Sequence, residues 1–240
     1  MKINVITKNM RKLLPLKYCG AVIVAAGNAS RMGGIDKVMA PLGGEPMIVR
    51  TVRTFQQCDA ISEIVVVTRE DLLTRISGLC KDFSKVRAVV AGGSDRCASV
   101  RAGLNALSPK VRLAAVQDGA RPLITWQVID RTVRAANTYG AAAPAIPVKD
   151  TIKRVNGGIV AETPDRSKLQ AVQTPQVFDI AILKAALAKA VKENAAITDD
   201  CSAVENMGMP VKLVEGDECN IKVTTPMDLK IAELLLEEKK

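Results

Sequence analysis

Short apolar runs alternate with amphipathic stretches through the first half of the chain, and this alternation limits the fold more than any other feature. AVIVAA (21–26), EIVVVT (63–68), VRAVVA (86–91) and LAAVQD (113–118) have strand length and are too continuous to leave one face in water. PMIVRTVRTFQQC, EDLLTRISGL, DRCASVRAGLNAL and WQVIDRTVRAANTY, interspersed with them, carry helical spacing. Proline near the start of the first and Ser94 or Asp95 at the start of the third mark helix beginnings. Strands buried on both faces and joined by helices predict an α/β fold, with a mostly parallel central sheet and helices on both faces. The rhythm breaks at VKDTIKRVNGGIVAET (148–163), where two alternating segments flank NGG. That is a hairpin signal, and its faces are too polar for a core, so it is expected to project as an arm. Helices resume at DIAILKAALAKAVKE and DDCSAVENM, and the strand patterns VKLVEG and NIKVT precede a last helix, PMDLKIAELLLEEKK.

The 240 residues, 48% of them hydrophobic, are enough for one large core. No apolar run approaches the ~20 residues that span a bilayer, so no membrane partner is expected. Residues 1–17 hold five bases (Lys2, Lys8, Arg11, Lys12, Lys17) and no acid, without the apolar centre of a signal peptide. They read as a basic extension on a cytoplasmic protein, with residues 18–240 forming a single domain. A net charge of +9 favours anionic partners. One Trp, two Tyr and three Phe offer little for stacking bases, and no five basic residues run together. Small phosphorylated ligands therefore fit better than nucleic acid. The six cysteines form no C-x-x-C pair and read as free thiols. Histidine is absent, which removes Ser-His-Asp triads, Cys-His dyads and His zinc sites. Chemistry is left to lysine, arginine, aspartate, hydroxyls, backbone groups and any metal held by oxygen.

Four features fall at strand ends, where open α/β sheets bind ligands. The first is AAGNASRMGGIDK (25–37), whose glycines let backbone amides approach an anion while Arg31 and Lys37 add charge. It is neither a Walker A loop nor G-x-G-x-x-G. The second is AGGSDRCAS (91–99), where a flat base could lie on Gly92 and Gly93 within reach of Ser99. The third is QDGARP (117–122), where Asp118 and Arg121 suit a magnesium carboxylate or a ribose contact. The fourth is NIKVTTP (220–226), where Lys222 alternates with Ile221 and Val223 in an apolar strand and so needs an anionic partner. Together they describe a nucleotide site. Phosphoryl or nucleotidyl transfer suits a chain without histidine, because a substrate phosphate is already an adequate nucleophile.

With DRSKLQAVQTPQVF, PVKDTIKR, ITDDCSAVE and EGDECNIKVTTPMDL added to the first three, seven ordered segments give the chain its likeness. Over about residues 18–236 it resembles the 2-C-methyl-D-erythritol 4-phosphate cytidylyltransferases of non-mevalonate isoprenoid synthesis. The resemblance implies a Rossmann-like fold and transfer of the cytidylyl group of CTP to methylerythritol phosphate, with magnesium on the triphosphate. It implies that Arg31, Lys37 and Lys222 are catalytic, with Lys222 touching both reacting phosphates. Ala25, Ala26, Gly27, Gly92, Gly93, Ser99 and Asp118 would bind the nucleotide, Gly93 and Ser99 helping to select cytosine. Asp118, the tentative metal ligand, would also meet the second substrate, with Arg121, Thr151, Arg166, Thr174, Thr198 and Lys222. The arm would embrace a second subunit, so that Thr151 and Arg166 act across a homodimer.

The chain departs from the family pattern in three places. The loop from Gly27 to Lys37 looks one residue shorter than in some relatives. Asp36 stands where proline is common, and Gln117 where many relatives carry histidine. A ribitol 5-phosphate cytidylyltransferase is the alternative, differing only in the acceptor. A nucleotide-binding dehydrogenase is disfavoured by the missing glycine fingerprint, and by Glu70 falling some forty residues after the loop rather than about twenty.

Overall fold

The computed structural model describes residues 15–27 and 36–238. Residues 1–14, the loop residues 28–35 that include Arg31, and residues 239–240 lie outside the described part. The central sheet has eight strands, running β5 (Val86–Ala91), β4 (Glu63–Thr68), β1 (Cys19–Ala25), β6 (Leu113–Asp118), β11 (Gln176–Asp179) and β7 (Ala141–Pro147). β7 also pairs with β10 (Gln170–Val172) and with β12 (Lys212–Glu215). β5, β4, β1 and β6 are mutually parallel, and β11 enters antiparallel between β6 and β7.

Side chains alternate across this sheet into two cores. Ala21, Ile23, Ile64, Val66, Leu113 and Ala115 face α1 (Met47–Gln57), α2 (Leu73–Cys80) and α4 (Trp126–Tyr139). Val22, Val65, Val67, Ala114 and Val116 face α3 (Arg96–Ala106), α5 (Ile180–Lys192) and α6 (Asp200–Glu205). A third, smaller cluster packs α7 (Pro226–Glu237) against the short hairpin of β2 (Pro41–Leu42) and β3 (Glu45–Pro46), through Leu42, Met47, Val223 and Ala232.

The expected parallel half is present, with β1, β4, β5 and β6 within two residues of the anticipated bounds. Asp95 is the cap of α3, its carboxylate accepting from the Ala98 amide at 2.8 Å. The arm is present as β8 (Arg154–Asn156) and β9 (Ile159–Glu162). Gly157 and Gly158 have φ of +57° and +82°, both left-handed, as a two-residue hairpin turn of the right twist requires. Every residue of the two strands is exposed, including Val155, Ile159 and Val160. One expectation fails: NIKVT, 220–224, read as a strand, joins no ladder. Its backbone is instead held through single contacts, among them Val223 N–H to the Ala120 carbonyl at 2.8 Å. β7, β10 and β11 were not anticipated. No helix among the described residues is long and apolar enough to cross a membrane.

Close packing of α3 on β1 and β4 depends on Gly103. A Cβ there would lie 2.3 Å from Val22 Cγ1 and 2.8 Å from Val67 Cγ2, on stiff side chains in the sheet centre. Removing a helical glycine ordinarily gains about 1 kcal/mol, whereas overpacking of this kind costs about 1–3 kcal/mol. Gly103→Ala should therefore destabilise the protein despite its better helix propensity, read as a lower urea midpoint at unchanged m-value.

Candidate active site

The carboxyl ends of β1, β4, β5 and β6 open on one cavity of about 460 Å³. Its walls include Ala25, Ala26 and Gly27 after β1, Arg69 after β4, Gly92 and Gly93 after β5, Asp118 at the end of β6, and Lys37, Ser99 and Lys222 from elsewhere. The ends of β1 and β5 touch there: a Cβ on Gly92 would meet the Ala26 Cβ at 2.4 Å.

The β5 edge is organised by internal bonds. Gly92 N–H donates to the Thr68 carbonyl at 2.7 Å. Gly93 N–H donates to Ser99 Oγ at 3.1 Å, and that hydroxyl donates to the Asp95 carbonyl at 2.9 Å. Both amides are thus used within the fold, and the groups with which this edge can address a base are carbonyl oxygens. Ser99 shapes the edge from behind.

Asp118 is the electrostatic centre. Its Oδ2 lies 2.9 Å from Lys222 Nζ and 3.5 Å from Arg121 Nε. Its amide donates to Thr174 Oγ1 at 3.1 Å. Burial pushes the carboxyl up, but Lys222, Arg96 and Arg121 outweigh burial and hold it below the usual carboxylate range. The anionic partner expected for Lys222 is therefore Asp118, reached from an irregular segment rather than from a strand. That segment is tied down by Asn220, which is fully buried. Its Nδ2 donates to Gln173 Oε1 and the Thr174 carbonyl at 3.2 and 3.0 Å, and its carbonyl accepts from Arg121 Nη1 at 2.6 Å.

Thr198 lines a neighbouring cavity of about 470 Å³, which shares Asp95 and Arg96 with the first. Arg96 Nη2 lies 2.7 Å from Oδ2 of the buried Asp200, whose carboxyl is pushed up by burial while Arg96 opposes the shift. Thr151 and Arg166 are exposed near the arm and line neither cavity, and Arg166 Nη1 donates to the Lys149 carbonyl at 2.5 Å. Arg31 lies outside the described residues. Gln117 is fully buried in β6, and by strand alternation it points away from the cavity that Asp118 faces. Burial raises the thiols of Cys19, Cys58, Cys80, Cys97 and Cys201, Cys80 to about 11, so none is a ready thiolate. Sequence reasoning missed Arg69, Arg96, Asp200 and Asn220. Arg96 and Asp200 stood inside quoted motifs, but their pairing across about a hundred residues had no local signal.

A family model described as "IspD: 2-C-methyl-D-erythritol 4-phosphate cytidylyltransferase" matches residues 19–238. The chain belongs to that family. A 2-C-methyl-D-erythritol 4-phosphate cytidylyltransferase of Symbiobacterium thermophilum is 46% identical, over 91% of this chain and 92% of its own length. Another, from Geobacillus kaustophilus, is 44% identical over 90% and 96%. Among solved structures, a 4-diphosphocytidyl-2C-methyl-D-erythritol synthase from Anaerococcus prevotii superposes with a TM-score of 0.84 at 30% identity, covering 92% of this chain and 96% of that one. A 2-C-methyl-D-erythritol 4-phosphate cytidylyltransferase from Thermus thermophilus gives 0.74 at 30% identity, over 92% of this chain and 99% of that one. The fold of this chain is thus that of the cytidylyltransferase family, and its cavity lies where the strand ends of that fold converge.

The segment bearing Lys222 also depends on the cap of α7. The Asp228 carboxylate accepts from the Thr224 and Thr225 amides and from Thr224 Oγ1, each at 2.8 Å. Burial works against its charge, yet these bonds hold the carboxyl below its usual range. A carboxyl lowered on folding stabilises the fold above its unfolded value, near 3.9, and loses that contribution as pH falls through the folded value. Asp228→Asn should cost about 1 kcal/mol at pH 7. The gap from the wild type should narrow below about pH 4, as followed by urea unfolding across pH.

Proposed function

We propose that the chain transfers the cytidylyl group of CTP to 2-C-methyl-D-erythritol 4-phosphate, giving 4-diphosphocytidyl-2-C-methyl-D-erythritol and pyrophosphate in isoprenoid precursor synthesis. One observation carries the structural side of this reading: the Asp118–Lys222 pair lines one cavity together with Lys37 and the Gly92–Gly93 edge. Family membership and the relatives' names support this acceptor over ribitol 5-phosphate.

In this reading cytosine lies on the Gly92–Gly93 edge, where a carbonyl accepts from its amino group; uracil carries an acceptor at the same position. The triphosphate runs toward Lys37. A phosphate oxygen of the acceptor forms a bond to the α-phosphorus, and the bond from that phosphorus to the bridging oxygen of pyrophosphate breaks. Lys37 and Lys222 face the negative charge that gathers on the phosphorus oxygens, and the family likeness adds Arg31, which lies outside the described residues, to that role. Asp118 holds Lys222 in place through their 2.9 Å contact.

Magnesium fits this donor set in the manner usual for nucleotide sites. No group of three or more acidic, Cys or His side chains gathers among the described residues, so no cage is built from protein alone. Asp118 would contribute one carboxylate and the triphosphate the remaining oxygens. When bound, the ion neutralises triphosphate charge.

The acceptor half is proposed to be shared in a homodimer. Thr174 and Thr198 come from one chain, while Thr151 and Arg166 reach the partner's site from an arm whose Val155, Ile159 and Val160 stand exposed. Arginine suits the acceptor phosphate because its planar fork pairs two oxygens.

Pyrophosphate release decides the reaction. CTP with methylerythritol phosphate should be turned over. UTP should be at least about tenfold poorer in kcat/KM, because a carbonyl built to meet a donor is left facing an acceptor. Ribitol 5-phosphate as the better acceptor would overturn the reading. Sharing is tested by mixing the strongly impaired variants Lys37→Ala and Arg166→Ala under subunit exchange. A mixed dimer then holds one site with both defects and one intact, so activity should rise toward half the wild-type value. No recovery despite exchange would place Arg166 in its own subunit's site.

A further inference from the structure

Lys37 does not stand on a strand of the sheet. It opens a single 3₁₀ turn, Lys37–Met39, that leaves the cationic loop, yet its ammonium ends 3.9 Å from where a Cβ on Gly27 would stand, over the end of β1. The turn is set by Asp36. Its Oδ1 accepts from the Val38 amide at 3.1 Å, and its carbonyl accepts from the Met39 amide at 3.0 Å. Its other oxygen, Oδ2, lies 2.6 Å from Arg69 Nη1 at the end of β4. Arg69 is held in turn by Asp71, with Nε at 3.0 Å from Oδ1 and Nη2 at 2.8 Å from Oδ2. One carboxylate thus shapes the turn with one oxygen and bolts it to the sheet with the other. Two carboxylates occupy the Arg69 guanidinium, so this cation in the cavity wall is committed to the protein.

We infer that Asp36 and Arg69 are positioning residues that hold Lys37 at the triphosphate, an inference that rests on the cytidylyl-transfer reading above. The backbone at Asp36 has φ of −66° and ψ of 111°, the φ a proline ring would fix covalently. Here an ion pair does that work. A partly exposed pair adds little to global stability, so its effect should appear in turnover rather than in unfolding.

The test is a double-mutant cycle on kcat for pyrophosphate release and on CTP affinity by calorimetry. Asp36→Ala and Arg69→Ala should each lower kcat about 5- to 30-fold, since small displacements of a charge at the reacting centre are costly. The melting temperature should shift little. In a Lys37→Ala background, Asp36→Ala should cost less than about twofold more, because its effect is spent through Lys37. Asp36→Pro should recover most of the loss seen in Asp36→Ala, and in that background the Arg69→Ala penalty should shrink below about twofold. Equal penalties for Asp36→Ala with and without Lys37 would overturn the inference, as would an Arg69→Ala penalty undiminished beside proline. A wild-type protein that binds CTP but fails to turn over methylerythritol phosphate would count against the acceptor reading, and the cycle on CTP affinity would still decide the positioning role.

Discussion

The contact between Asp118 Oδ2 and Lys222 Nζ, at 2.9 Å, is the interaction around which the site is arranged. Burying a carboxylate is costly unless its charge is met, and Asp118 is met by two cations from different parts of the chain. Arg121 is almost as buried as its partner and would itself be stranded without Asp118 and the Asn220 carbonyl. The Asn220 amide nitrogen in turn donates to Gln173 and Thr174, at the corner between β10 and β11. The end of β6, that corner and the 220–225 segment are therefore held as a unit, and removing one member leaves buried polar groups of the others unpaired. Such a network adds little net stability but fixes positions, which is what a reaction run on geometry and charge requires.

The fold was legible where burial alone decides structure. β1, β4 and β6 are apolar runs covered on both faces, and their ends, like those of the half-buried edge strand β5, could be read within two residues. β7 is AAAPAIP, buried over its first five residues, but its one β-branched residue is Ile146 and it holds two prolines. It is a strand because β11, β10 and β12 pair with it, a tertiary cause with no local trace. NIKVT shows the converse. Its alternation suggested a strand, but its backbone bonds go to Ala120 and its neighbours' side chains, and no ladder forms.

The site was legible in its residues and less so in their relations. Asp118, Lys37, Lys222, Gly92 and Gly93 do line one cavity. That Lys222 needed an anion followed from its apolar neighbours, and Asp118 is that anion. Ser99 was placed in the pocket as a reader of the base, whereas its hydroxyl is engaged by Gly93 N–H and the Asp95 carbonyl. The Arg96–Asp200 and Arg69–Asp36 pairs depend on which strand ends are neighbours, and residue spacing carries no such information.

Without histidine, the chain lacks the side chain whose ordinary titration falls near neutral pH. Asp118 is held below the usual carboxylate range, and the neighbouring Cys97 is raised by burial. Asp200 is pushed the other way for a carboxyl, with Arg96 opposing burial, but it is enclosed behind the cavity wall rather than facing a substrate. None of these three groups is thus tuned to pass a proton at the reacting phosphorus, and none is needed when the nucleophile is a phosphate oxygen. The ionisation that matters is the acceptor's own, since a phosphomonoester loses its second proton near pH 6. Catalysis then rests on fixed cations meeting charge as it develops, and the selectivity of the reaction falls to the walls that place the two phosphates in line.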